Sequence, residues 1–328
     1  MKVLIFNHDD VIRLLPMAEC IEVMDQALRS LAREEVTLPL RSILKPAGVK
    51  GVLAQMPAFR AGQQPLFGLK AICVFPGNSK IGKDAHQGGV MLLSGETGEL
   101  LAIGNASAIT AIRTAAVSAV ATRSLARADA GDLAIIGAGI QARSHLEAMT
   151  NVRSIRRTRV ASARFAHARQ FAAEMQPQFS FPIEPVETPE LAVRNADLIV
   201  TATTTREPVI RHEWIAPGTH INAIGTYSPL AREIDTATMA AARLFVDRRE
   251  SALNEAGDYL IAAKEGAIGP EHIRAELGEV LIGAEPGRNS PDEITVFKSL
   301  GLAIEDLAAA EHIYRKAQQQ GAGNWVEF

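Results

Sequence analysis

Residues 137–142 read GAGIQA and stand between an apolar run, DLAII, and a helix-forming run, ARSHLEAM. The spacing fits GxGxxA. Gly137 permits a tight turn, Gly139 lets backbone approach a pyrophosphate, and Ala142 keeps the next helix close to the preceding strand. That helix offers phosphates its free N–H groups and the positive end of its dipole. Strand, glycine turn and helix, ahead of four further strand-like runs, predict a dinucleotide site. Ile140, Gln141 and Arg143, around the start of the helix, are counted among its contacts. The next strand, TRVAS, ends in Ser162, Ala163 and Arg164. An NAD site normally puts Asp or Glu there for the ribose hydroxyls. Serine and arginine suit a 2′-phosphate instead, so NADPH is the expected cofactor and NADH the alternative. Thr203 and Thr204, at the end of DLIVTAT, and Gly225, after HINAI, lie at carboxyl ends of strands, where further cofactor contacts are expected.

These residues need a sheet to hold them. From residue 132 the pattern alternates strand and helix: LAIIG, ARSHLEAM, TRVAS, ARFAHARQFAAEM, PIEPV, TPELAVRNA, DLIVTAT, THINAIG, ARLFVD. That predicts an α/β fold with a doubly wound parallel sheet of the Rossmann kind. The first third reads differently. Residues 9–34 carry helical periodicity, with Pro16 placed to open a second helix. Strand-like pieces follow (RSILKP, GVLAQMPAF, LFGLKAICVFP, GVMLLSGETGELLAI), the last with a hairpin signal at GETG. This describes an α+β domain. TAIRTAAVSAVATRSLARA, from Thr110, reads as a small-residue helix, and EITVFKSLGLAIEDLAAAEHIYRKAQQQ as one long helical pattern that need not belong to the sheet.

Composition narrows the classes. With 47% hydrophobic and 22% charged residues, the 328-residue chain has the balance of a globular protein and length for two domains. A formal net charge of −3 gives no reason to expect nucleic acid or an anionic membrane as partner. Cys20 and Cys73 lack any paired or ligand spacing, and no HxxxH or HxxEH occurs, so no metal site is expected. The run VLIF at residues 3–6 is too short for a signal peptide, and no segment reaches the ~20 apolar residues that span a bilayer. A soluble cytoplasmic protein is expected.

Several segments together resemble the ornithine cyclodeaminase/mu-crystallin family over nearly the full length. They are LPLRS around Arg41, GLKAICVFPGN around Lys70, TAIRTAA around Arg113, IIGAGIQAR, TATTTREPVI, HINAIG and TVFKSLGLAIEDLAAA. The resemblance implies a homodimer with residues 1–116 and 298–328 for substrate binding and dimerisation, and 117–297 as the Rossmann domain. The first third would then build the substrate side of a cleft and the glycine turn the cofactor side. The family's substrate residues match at Arg41, Lys70 and Arg113. Arg113 is read in the first turn of its helix, where dipole and guanidinium both favour an anion. Arg41 supplies the other half of a carboxylate clamp. Lys70 alternates with apolar neighbours on a strand, where partial desolvation suits proton transfer.

The chain departs from the family at one place. Cyclodeaminases carry an acid just after the HINAIG segment to handle the substrate amine, and here GTYSPLAREID puts Tyr227 at that position. Tyrosine carries no negative charge at neutral pH. Glu233 and Asp235 follow, read as ordinary first-turn acids of a helix. The expected activity is therefore NAD(P)H-dependent reduction of a cyclic ketimine 2-carboxylate, Δ1-pyrroline-2-carboxylate or its six-membered homologue. Arg41 and Arg113 would hold the carboxylate and Lys70 the imine nitrogen, with Tyr227 beside them. Ornithine cyclodeaminase, alanine dehydrogenase and a non-catalytic NADPH binder are the alternatives.

Overall fold

The computed structural model describes residues 2–328, the side chains of Ser79 and Lys80 excepted. The chain divides into two compact units, Met1–Arg113 with Gly301–Phe328, and Thr114–Leu300.

The first unit opens with β1 (Lys2–Phe6), α1 (His8–Leu14) and α2 (Met17–Ala32). Asn7 and Asp10 cap α1 reciprocally, and Pro16 is the N-cap residue of α2. There follow β2 (Val36–Thr37), β3 (Ser42–Leu44), β4 (Val52–Arg60), β5 (Leu66–Val74), β6 (His86–Ser94) and β7 (Leu100–Asn105). Among the described residues the sheet runs from the C-terminal strand Asn324–Glu327 through β1, β7, β6, β5 and β4 to β2, with β3 also on β4. The hairpin expected at GETG joins β6 to β7, closed by Ser94 N–H donating to Glu99 O at 2.9 Å. The C-terminal helix, Ala303–Gln320, packs across β4 to β7. Alternation on β5 decides what it meets: Leu66, Gly68, Lys70, Ile72 and Val74 point to the buried face. A Cβ on Gly68 would come within 2.8 Å of Leu307, which is how closely that helix lies on the sheet.

From Asn105 the chain enters α3 (Ala106–Leu125), the Asn105 side chain accepting from Ala108 N–H at 2.9 Å. The helix therefore starts four residues before Thr110, because the asparagine that ends the strand caps it. In the second unit come β8 (Asp132–Ile136), α4 (Ile140–Thr150), β9 (Arg157–Ala161), α5 (Phe165–Met175), β10 (Ile183–Pro185), β11 (Leu198–Thr201), β12 (His220–Ala223), β13 (Arg243–Val246), β14 (Ile273–Glu276) and β15 (Thr295–Lys298). Their order is β10-β9-β8-β11-β12-β15-β13-β14, and every neighbouring pair is parallel. This is the doubly wound Rossmann sheet, reversing direction at β8. Its central strands are buried on both faces, hence their continuous apolar runs.

One expectation fails here. ITVFK is not the start of the long C-terminal helix but β15, inserted between β12 and β13. All four residues of β15 are buried, so the segment shows no period-2 alternation that would distinguish it from helix.

Candidate active site

In the first unit, Lys70 and Arg113 lie together, 3% and 4% exposed. Lys70 Nζ donates to both carboxylate oxygens of Asp306, at 3.1 and 3.2 Å. Arg113 Nε donates to Asp306 Oδ1 at 3.2 Å, and Arg113 Nη1 to Glu305 Oε2 at 2.6 Å. Both acids sit in the first turn of the C-terminal helix. Arg41 Nη2 donates to Gly301 O at 3.0 Å. Gly301 has φ +79°, and a Cβ there would press within 2.6 Å of Arg113 Nη1. Glycine is needed at this corner for both reasons.

Arg113 occupies the eighth position of α3, two turns beyond its start, so the dipole does not supply its anion preference. Its environment is set instead by Glu305 and Asp306. Two buried cations, Lys70 and Arg113, meet these two carboxylates, and Arg41 adds a guanidinium at the adjoining Gly301, a set of donors that suits an organic carboxylate. Burial pushes the Lys70 ammonium down to about 8, with Asp306 opposing the shift and Arg113 assisting it. His86, at the start of β6, is held below its ordinary value by burial and then by Lys70 and Arg113.

The second unit holds the remaining predicted residues. Gly137 has φ +121°, and a Cβ on it would meet Ala202 O at 2.4 Å. Gly139 is the N-cap residue of α4, and no side chain caps that helix. A Cβ at Gly139 would touch nothing within 4 Å, and Ala142 is fully buried against the sheet. Open space above uncapped N–H groups fits a dinucleotide pyrophosphate. Ile140 is exposed and Gln141 half-buried beside it. Arg143 is turned back, donating to Ala138 O at 2.8 Å and pairing with Glu174 of α5. Ser162 and Arg164 follow β9, Arg164 exposed as the N-cap residue of α5, whose first turn carries no acid. Thr203 and Thr204 follow β11, Gly225 follows β12, and Tyr227 is 43% exposed.

Glu233 is not a first-turn helix acid. It is fully buried, and its carboxylate accepts from Thr203 N–H and Oγ1 and from Gly225 N–H, each at 2.7 Å, and from Thr201 Oγ1 at 3.0 Å. Asp235, by contrast, is the N-cap residue of the helix Thr236–Ala241.

Residues 1–321 match the model of the ornithine cyclodeaminase/mu-crystallin family. The chain belongs to that family. Among its family relatives is the Delta(1)-pyrroline-2-carboxylate reductase of Bacillus cereus, 38% identical over 326 residues that cover 99% of this chain and 100% of the relative. Among solved structures, the Thermococcus litoralis Delta(1)-pyrroline-2-carboxylate reductase in complex with NADH and L-proline superposes with TM-score 0.95 at 39% identity, covering 99% of this chain and 100% of that one. An archaeal alanine dehydrogenase dimer with bound NAD gives TM-score 0.93 at 35% identity, with both chains covered in full.

Glu305 and Asp306 went unrecognised in the sequence as site residues. Acids in a helix's first turn are usually there for the dipole, and these lie 192 and 193 residues from Arg113. The available signal was their place in GLAIEDLAAA, where apolar neighbours on every side mark a buried turn. The cluster makes a measurable prediction. Lys70 should lose its proton near pH 8, well below the ordinary lysine value of 10.5. Asp306→Asn removes the carboxylate that opposes this fall, so the midpoint should drop further. NMR titration of isotope-labelled lysine reads both, and an unchanged midpoint in the variant would exclude Asp306 as the group that governs Lys70.

Proposed function

We propose that this protein reduces cyclic ketimine 2-carboxylates with NAD(P)H, converting Δ1-pyrroline-2-carboxylate to proline. The observation that carries the reading is the buried pair Lys70 and Arg113, held together by Asp306, with Arg41 beside them at the Gly301 carbonyl. Full-length similarity to pyrroline-2-carboxylate reductases supports it. Arg113 and Arg41 bind the substrate carboxylate and orient the ring. Lys70, still largely protonated at neutral pH, gives a proton to the ring nitrogen and makes C2 more electrophilic. When bound, NAD(P)H supplies the hydride that C2 accepts. Gly137, Gly139 and Ala142 hold its pyrophosphate, with Ile140, Gln141 and Arg143 around them, and Thr203, Thr204 and Gly225 line the strand ends beyond. Tyr227 stands where a cyclodeaminase carries its acid, and its phenol cannot neutralise the second ammonium of ornithine. Purified protein should consume one NAD(P)H per pyrroline-2-carboxylate and release little or no ammonia from ornithine. Ammonia and proline formed from ornithine as fast as the imine is reduced would make cyclodeaminase the better reading.

We infer that NADPH is preferred over NADH, on the strength of Ser162 and Arg164 and the absence of an acid at the end of β9. The Thermococcus relative was solved with NADH, so the inference rests on this chain's own residues alone. A charge-assisted contact to the 2′-phosphate is worth about 1.5–3 kcal/mol, roughly ten- to a hundredfold in kcat/KM. Arg164→Ala should remove most of it, and equal kcat/KM for both cofactors in the unmodified protein would refute the inference.

We also infer a cytoplasmic homodimer. Both cysteines are free, as a reducing compartment leaves them. No helix among the described residues is long and apolar enough to cross a membrane. The sheet face of the first unit turned away from the C-terminal helix carries Pro57, Phe59, Phe67, Leu69, Met91 and Leu93, none of them buried, with the Phe59 and Phe67 rings in tilted contact, centroids 4.8 Å apart. Such a face calls for a partner, and the related alanine dehydrogenase is a dimer. Sedimentation should give twice the 35.2 kDa chain mass, and Phe67→Glu should shift it toward monomer. A wild-type monomer at micromolar concentration would contradict this.

A further inference from the structure

Three strand ends lie side by side in the second unit. β8, β11 and β12 are consecutive in the parallel sheet, with Ile136 opposite Thr201 and Thr201 opposite Ala223. Beyond them the backbone is packed at its limit. A Cβ on Gly137 would meet Ala202 O at 2.4 Å, and one on Gly225 would meet Thr203 N and O at 2.3 Å. Backbone this close, carrying N–H groups that no strand partner satisfies, needs an acceptor inserted among them.

Glu233 supplies it. Its two oxygens take the N–H groups of Thr203 and Gly225, one each, and the hydroxyls of Thr201 and Thr203 besides. The charge this requires is buried, and burial pulls the acid toward its neutral form while Lys298 opposes that. Lys298 Nζ lies 2.9 Å from Asp258 Oδ2 and donates to Thr226 O at 2.6 Å, all of these side chains being buried. Asp258 Oδ1 in turn accepts from the backbone N–H of Glu233 and Ile234, at 2.7 and 2.9 Å. The buried pair thus fixes the backbone that carries Glu233, and Glu233 fixes the segments after β11 and β12. A network so fully satisfied costs ion desolvation and returns rigidity.

We propose that Glu233, braced by the Lys298–Asp258 pair, is a positioning residue that sets the spacing of the Thr203 and Gly225 segments and thereby the affinity for the dinucleotide. The inference rests on the reading that these strand ends hold the cofactor. Glu233→Gln keeps the shape but puts an NH2 group against one of the two backbone N–H donors, so one segment must move. Thr201→Val is gentler: it removes one hydroxyl that donates to Glu233 and leaves both backbone bonds in place.

Both variants of the full chain can be titrated with NADPH by fluorescence, alongside steady-state kinetics and thermal melting. Glu233→Gln should weaken NADPH binding at least about tenfold, and Thr201→Val about three- to tenfold. The loss should appear in KM for NADPH, with kcat and the KM for pyrroline-2-carboxylate within about twofold of the parent. A purely structural role would lower the melting temperature and leave the dissociation constant at 20 °C untouched, and that result in either variant overturns the proposal. Should Glu233→Gln not fold, Thr201→Val decides alone. Failure of the reductase reading has a different signature: unmodified protein that binds NADPH but does not oxidise it with the imine. Unmodified protein that binds no dinucleotide would overturn both.

Discussion

Asp306 holds two cations at once, Lys70 through both its oxygens and Arg113 through one. Burying a lysine and an arginine side by side without it would carry the desolvation cost of each ion and their mutual repulsion. With Glu305 added, each buried cation has a carboxylate within hydrogen-bond reach, Lys70 at Asp306 and Arg113 at both acids. The arrangement depends on the C-terminal helix returning to the first unit with its acids facing the sheet. That return rests on close packing at Gly68 against Leu307 and on the corner at Gly301, where a side chain would displace Arg113.

The second unit solves a related problem with the same device. There the crowded groups are backbone N–H donors at parallel strand ends, and the buried carboxylate of Glu233 gathers them. In both units an acid that never has to meet a ligand fixes the groups that would. Charge placed in advance costs no reorganisation when the reaction comes, which is the main way a protein without much covalent chemistry of its own accelerates a step. The desolvated Lys70 belongs to the same economy, since a donor near pH 8 gives up its proton more readily than an exposed lysine.

On the proposed function, Tyr227 in place of an acid would change the charge offered to a substrate amine without disturbing Glu233 six residues on, whose hydrogen bonds are internal to the second unit. Substitution at the exposed position is therefore open to change of substrate, whereas the buried acid is bound to the backbone geometry.

Local rules were enough for much of this. GxGxxA between strand and helix announced the dinucleotide turn because Gly137 and Ala142 are dictated by backbone conformation and close packing, both properties of neighbours in sequence. Alternation on GLKAICV puts Lys70 on one face of its strand with its apolar neighbours, and GETG marks the hairpin between β6 and β7. The start of α3 precedes its alanine-rich run because its cap is an asparagine at the end of a strand, and ITVFK reads as helix because a fully buried strand has no polar face to reveal its period. Arg41, Lys70 and Arg113 could be named from family motifs, but their chemistry could not, since charge state and pairing depend on what lies opposite. Asp306 meets Lys70 across 236 residues and Glu233 meets Thr203 across 30, distances over which no periodicity carries information. The sequence by itself determined which segments turn, pleat and coil; only the tertiary structure decided which charges are buried together, because that energy is set by separation in space and by the exclusion of water.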